Sequence, residues 1–378
     1  MALESKFLHQ AYSRELPSDC RLTYLSPSPS AESVNDVYGR RRSADLAKRA
    51  GVSAILLVHG TFAGNDALGV VRKLSRIWPD VGRTLRKRNK EWFDWLVKDA
   101  GNYTQAYAEQ LSVASDQGIH VERFNWSSEN HHIGRADGAV GLLHRLGELD
   151  EKLPPGSRVQ IWAHSHGGNA LALLSNLLGG DAEKRRQFFD AGRPYYRWPL
   201  IGREDFPVWG EVQRKLDSGW TIADRLDLVT FGTPIRYGWD RRGYRRLLHF
   251  VNHKPIGEQP HLAALPQSLD DLLSCRGGDY IQHFGIAGTN ARPGLLAWRA
   301  GWADRRLNRI LQSGVRKRDF WRRIKVGARV PEQGETLLVD YGQAKGKPLE
   351  DVFGHAVYTR EEWLAFHLSE IVNRLYGG

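Results

Sequence analysis

"RVQIWAHSHGGNALALLS", residues 158–175, decides how the rest of the chain is read. An apolar, β-favouring run ends in Ser165, set between two histidines and followed by glycines and a leucine-rich pattern. Where a strand turns sharply into a helix, the corner residue is held in a strained backbone conformation, so the residues two positions away must be small. Here they are Ala163 and Gly167, and Gly168 adds further room. Ala170, Leu171, Leu173, Leu174, Leu177 and Leu178 then give the apolar face of a helix whose N-terminus points at the serine. Such a helix brings positive dipole character, and the backbone N–H of His166, to the place where an oxyanion would form. Ser165 is therefore a candidate nucleophile. The bland alternative is a strand-to-helix loop that only resembles one.

Working outward, short β-type runs alternate with longer helical ones. They are "SAILLVHG" at 53–60, "IHVERFNW" at 119–126, "RVQIWAHS" at 158–165, "LDLVTFGTP" at 226–234, "YIQHFGIAGTN" at 280–290 and "TLLVDYG" at 336–342. Runs that are apolar almost throughout suit strands covered on both faces, with the helices as crossover connections. The fold class expected is α/β, a mostly parallel, helix-flanked sheet. In such sheets ligands bind beyond the carboxyl ends of the strands. Nearly every residue at those ends is small or polar.

Residues 1–50 read as a loosely ordered lead-in, because 26–43 is rich in Ser, Pro and charge, and one large domain is expected over 51–378. Two insertions interrupt it. Residues 181–220, with "RPYYRWPLIGREDFPVWG", form either a cap over a pocket or a packed surface excursion. Residues 292–330 are a basic helical segment in which Trp298, Trp302, Leu307, Ile310 and Leu311 approximate helical spacing, a stripe that suits core packing.

The 378 residues carry a formal net charge of +11, and twelve Lys or Arg against two Asp fall between Arg292 and Arg329. That segment is either a solvated helix face or an attractor of anionic lipid, an acidic partner or nucleic acid. Two cysteines exclude a disulfide framework and a zinc-type cluster. The first twenty residues hold no apolar core of signal-peptide length, so synthesis in the cytoplasm is expected, with signal-independent secretion left open.

A second oxyanion donor should follow an earlier strand. "ILLVHGTFAGND" at 55–66 supplies one, the backbone N–H of Thr61. At this point the chain resembles the α/β-hydrolase superfamily, especially its lipase and esterase branch, through "VHGTFAG" and "AHSHGGNALALL". "HGTFAG" and "GHAVYTREEW" also look like bacterial lipase-type hydrolases, some of which are injected into rival cells as toxins.

The resemblance implies a histidine base after the last strand. His355 fits, lying between a strand and a helix whose apolar face is Leu364, Leu368, Ile371 and Leu375. His367 reads as structural, His164 and His166 as packing or substrate-lining residues, and His59 as a loop-ordering one. The resemblance also implies an acid after the strand expected at 280–290, where the sequence offers only Asn290. The candidates are, in order, Asp240, Asp340 and Asp279. The last is ranked low because the expected strand would put it at the wrong edge.

The function expected is hydrolysis of a carboxylic ester, lipid or phospholipid rather than a small soluble ester, with no cofactor and no metal. Thirteen tryptophans and the basic segment suit an interfacial substrate and peripheral contact with an anionic membrane, while nucleic acid is not expected as a partner. The rival is a non-catalytic binding module of the same fold that uses its basic segment to hold nucleic acid or an acidic partner, and its best support is the missing acid.

Overall fold

The computed structural model describes residues 21–27, 37–60, 102–198, 203–254, 268, 271, 274–288, 293–294, 297–311, 333–342 and 354–377. Its strands are β1 (Arg21–Leu25), β2 (Val52–Val58), β3 (His120–Phe124), β4 (Arg158–His164), β5 (Leu226–Phe231), β6 (Arg246–Asn252) and β7 (Glu335–Val339). The helices are α1 (Val37–Arg49), α2 (Gln105–Ala114), α3 (His132–Asp150), α4 (Gly167–Gly179), α5 (Ala182–Tyr196), α6 (Pro207–Asp217), α7 (Tyr280–Gly288), α8 (Trp298–Leu311) and α9 (Leu364–Tyr376). The seven strands are all parallel, in the order β1-β7-β6-β5-β4-β2-β3. This is the α/β class that the apolar runs predict.

The central strands are buried on both faces, which is why they read as continuous apolar runs. On β4, Val159, Ile161 and Ala163 join a core with α3, α4, α5, α6 and α8. Trp162 points the other way into a core with α1, α2 and α9. Leu364, Leu368, Ile371 and Leu375 are buried in that second core, as the spacing of α9 requires.

Three features depart from the sequence reading. Upstream of Gly51, where a loose lead-in is expected, β1 forms an edge strand of the sheet and α1 buries Ala44 and Ala47. "RLLHFVN" at 246–252 forms β6, a strand absent from the expected set. Residues 280–288 form a helix instead of the expected strand, because the Asp279 carboxylate accepts the backbone N–H of Gln282 and caps it. With β6 supplied, the connections β2–β3, β4–β5, β5–β6 and β6–β7 join parallel neighbours, while β3–β4 passes over β2 and β1–β2 crosses most of the sheet.

Within the segment 181–220, α5 and α6 pack on α3 and α8 around Trp209, which stacks on Phe188 and Tyr196 at ring distances of 6.0 and 5.0 Å. In α8, Leu307 and Leu311 enter the core, but Trp298 and Trp302 stand 54% and 39% exposed. The tryptophans thus leave the core stripe to the leucines.

Candidate active site

Ser165 follows the last residue of β4 and has φ of 54°, a left-handed backbone that costs a side-chain-bearing residue about 1–2 kcal/mol. The turn is held at both ends. Phe231 of β5 accepts the Ser165 N–H at 2.8 Å, and the Ser165 carbonyl accepts both the Gly168 N–H at 3.1 Å and the Thr233 hydroxyl at 3.0 Å. A Cβ on Gly167 would sit 2.8 Å from the His59 carbonyl, and one on Gly60 only 2.5 Å from Ser165 Cβ. The loop after β2 therefore closes tightly on the serine, which explains the glycines of both motifs. His166 stands at the N-cap of α4, with its backbone N–H in the first turn.

His355 lies beside this turn. Its ring centroid is 4.6 Å from that of His164, and its carbonyl accepts a hydrogen bond from His164 Nε2 at 3.1 Å. Its Nδ1 donates to Asp279 Oδ2 at 2.7 Å, with both side chains fully buried. Asp279 is thus the carboxylate on His355, a correction to the order of candidates.

The correction has a simple cause. Asp279 lies in the connection after β6, at the carboxyl edge, because the run behind it is α7 and not a strand. One carboxylate does two tasks: Oδ1 caps α7 through Gln282, and Oδ2 accepts His355 and the Tyr358 hydroxyl, the latter at 3.0 Å. Asn252, the last residue of β6, ties the parts together. Its carbonyl accepts the Asp279 N–H, its side-chain amide donates to the Gly354 carbonyl, and its own N–H donates to the Tyr358 hydroxyl.

The two carboxylates ranked above Asp279 are engaged elsewhere. Asp240 caps the turn Arg241–Gly243 and pairs with Arg242. Its N–H is held by the Ser175 hydroxyl, and its carboxyl carbon lies 2.7 Å from where a Cβ on Gly179 would be. That is ten or more residues down α4 from Ser165, roughly 15 Å or more along the axis. Asp340 accepts the Gly342 N–H and lies 3.8 Å from Lys254. Thr61 and Asn290 fall outside the described residues.

The remaining histidines separate by environment. His367 is buried among Phe231, Phe250 and Tyr341, and desolvation lowers its pKa to about 3. His59 bonds the Gly60 carbonyl through Nδ1 and orders the loop, with burial lowering its pKa. Burial, with the charges of Arg135 and Arg236, holds the His166 and His132 imidazoles well below their ordinary range. These rings stay neutral at pH 7.

Sequence reasoning misses Tyr358, Asn252 and the link from His164 to the His355 backbone. A signal for Asp279 is present: Asp-x-x-Gln at 279–282 is the pattern of a capped helix start. Among the described residues no group of three or more His, Cys, Asp or Glu converges as a metal ion would need. No helix among them is long and apolar enough to cross a membrane. Comparison with protein-family models, curated proteins and solved structures finds no match.

Proposed function

We propose that the chain is a serine hydrolase of the α/β-hydrolase kind, cleaving carboxylic esters through Ser165, His355 and Asp279. The observation that carries this reading is the junction at one sheet edge of a serine at positive φ on a strand-to-helix turn with a buried, hydrogen-bonded His–Asp pair. A serine hydroxyl is a poor nucleophile at neutral pH and needs an adjacent base. In the proposed reaction His355 accepts the Ser165 proton as Oγ bonds the ester carbon, and the oxyanion is held by the N–H groups of His166 and Thr61. Collapse breaks the bond to the alcohol, which leaves with the proton from His355. Water activated by the same ring then releases the acid. Asp279 holds the productive tautomer and balances the imidazolium charge. The non-catalytic alternative leans on a missing acid, and Asp279 fills that place.

Ser165 and His355 are only 2% and 0% exposed, so the reading requires a conformational change that admits substrate. An interfacial ester, lipid or phospholipid, is the proposed substrate. What supports it is the exposed aromatic face of Trp198, Phe206, Trp298 and Trp302, with Trp198 and Trp298 6.4 Å apart. Arg305 and Arg309 continue that face of α8. This face belongs to the end of the molecule that carries Ser165: Asp304 accepts the Ile133 N–H and Asn308 meets His132, both in the first turn of α3, which follows β3 at its carboxyl end. Tryptophan and arginine together suit a membrane boundary with anionic head groups.

The test is labelling with a fluorophosphonate, with and without anionic vesicles. An adduct on Ser165, formed faster with vesicles and lost in Ser165→Ala, is expected. Folded protein that takes no label under either condition would refute the enzyme reading.

A further inference from the structure

The sequence places the excess positive charge at 292–329, but the fold gathers a second concentration from distant segments. At the amino ends of β6, β7 and β1, opposite the serine edge, lies an open cleft of about 680 Å³. Among the described residues Arg21, Arg241, Arg245, Arg246 and Arg374 line it, with Glu335 as the one carboxylate of that lining. β1 begins at Arg21 and β6 at Arg246, so the sheet edge itself carries two of the five. The turn Arg241–Gly243 and the residues after it supply Arg241 and Arg245, and the last turn of α9 supplies Arg374.

Carboxylates in and beside the cleft have partners. Glu335 and Glu370 meet Arg374 at 2.9 and 3.4 Å. Asp227, fully buried, accepts the Tyr376 hydroxyl at 2.6 Å and lies 3.8 Å from Arg158. Asp240 pairs with Arg242, which is not part of the lining. Arg246 also lies over the Tyr376 ring, 5.6 Å from its centroid, which orients that guanidinium. Tyr244, half-buried in the wall, offers an aromatic face.

We propose that this cleft binds a small ligand carrying two or more phosphate groups. Guanidinium groups match phosphate oxygens in a bidentate fork, and several in one concavity focus their field where a single surface arginine does not. The volume falls in the range of small-molecule sites, about 300–1,000 Å³. Duplex nucleic acid instead calls for a row of cations spaced along its backbone. The proposal does not depend on the esterase reading, since the cleft and Ser165 occupy opposite ends of the strands.

Calorimetric titration of the full chain with inorganic tripolyphosphate tests it, with orthophosphate and a short DNA duplex as comparisons. Tripolyphosphate should bind at least about tenfold more tightly than orthophosphate, because each further phosphate engages another guanidinium. Arg241→Glu/Arg245→Glu should lower that affinity at least about tenfold, while Arg305→Glu/Arg309→Glu, the same charge change on α8, should leave it within about twofold. If the first variant fails to fold, Arg241→Gln and Arg21→Gln singly should each weaken binding by a few-fold. The cleft is overturned as a polyphosphate site if tripolyphosphate does not bind, if both double variants weaken it equally, or if the duplex binds more tightly and is lost with the same arginines.

Discussion

Beside Ser165, at the carboxyl end of the sheet, His355 and Asp279 are buried and hydrogen-bonded to each other, whereas at the amino ends of β6, β7 and β1 five arginines line an open cleft. Asp279 spends both oxygens on named partners, and His355 is held from its ring and from its backbone. Of the five cleft arginines, Arg21, Arg241, Arg245 and Arg374 are exposed to water. The difference is between preorganisation and field. A buried, hydrogen-bonded pair acts at fixed geometry in a low dielectric, and an exposed cluster acts through a charge density that salt screens. Each end should therefore fail under a different perturbation.

The largest effect is expected from the acid. Asp279→Asn removes the charge opposite His355 and inverts the tautomer it selects, so kcat for a chromogenic ester should fall about 10³–10⁴-fold. Asp240→Asn should leave kcat within a few-fold, since Asp240 serves a turn at the far end of α4. Steady-state kinetics of the two variants, with near-ultraviolet circular dichroism to confirm folding, separates them. Equal losses would dissolve the contrast between a wired site and an ordinary buried carboxylate.

That pair of variants also marks how far the sequence can be read. The serine turn is legible because its requirement is local: small residues at fixed offsets, a strand before and a leucine face after. The face of α9 and five of the seven strands are legible for the same reason of periodicity. The acid is not, because the apolar positions Tyr280, Ile281, Phe284 and Ile286 suit a buried strand as well as a helix, and apolar content alone does not tell the two apart. Only the Asp279 cap, three residues before Gln282, breaks the tie. The absence of β6 from the expected set compounds this, since without it the connection to Asp279 starts from the wrong strand. The cleft is illegible for another reason: Arg21, Arg374 and the run at 241–246 are joined by the parallel order β1-β7-β6, which no local pattern announces.

The next effect concerns stability. His367 has a folded pKa of about 3 against an ordinary 6.5, so between those values the unfolded chain binds the extra proton and stability falls as pH falls. From pH 7 to pH 5 this one ring should cost about 2 kcal/mol, roughly 25-fold in the folding constant. His166 and His132, also held neutral, add to the loss in the same direction. Urea unfolding at the two pH values measures it, and His367→Phe should flatten part of the slope. A pH-independent stability would mean that these rings are not neutral in the fold.

A smaller effect belongs to Tyr358, whose hydroxyl donates to Asp279 Oδ2 beside His355. Tyr358→Phe leaves the carboxylate and removes one neutral donor, worth about 1 kcal/mol. kcat should drop several-fold, less than for Asp279→Asn by two orders of magnitude or more, because the carboxylate loses part of what fixes its orientation. KM should stay within about twofold, since the hydroxyl bonds the carboxylate and not the substrate. A rise in KM with kcat unmoved would make Tyr358 a packing residue alone.

The smallest expected effect is the most discriminating, because it asks for none. Raising NaCl from about 0.05 to about 0.5 M shortens the screening length from roughly 14 to roughly 4 Å. Hydrolysis of a neutral, water-soluble ester should change by less than about twofold, since the His355–Asp279 pair lies out of reach of mobile ions. Tripolyphosphate binding at the cleft should weaken at least about tenfold over the same interval. Arg241→Glu/Arg245→Glu should likewise leave that esterolysis unchanged, because neither residue approaches the serine edge. If salt or these two substitutions slowed the soluble ester markedly, the ends of the sheet would be coupled through β5 and β6. The separation drawn from their placement would then describe the architecture and not the energetics.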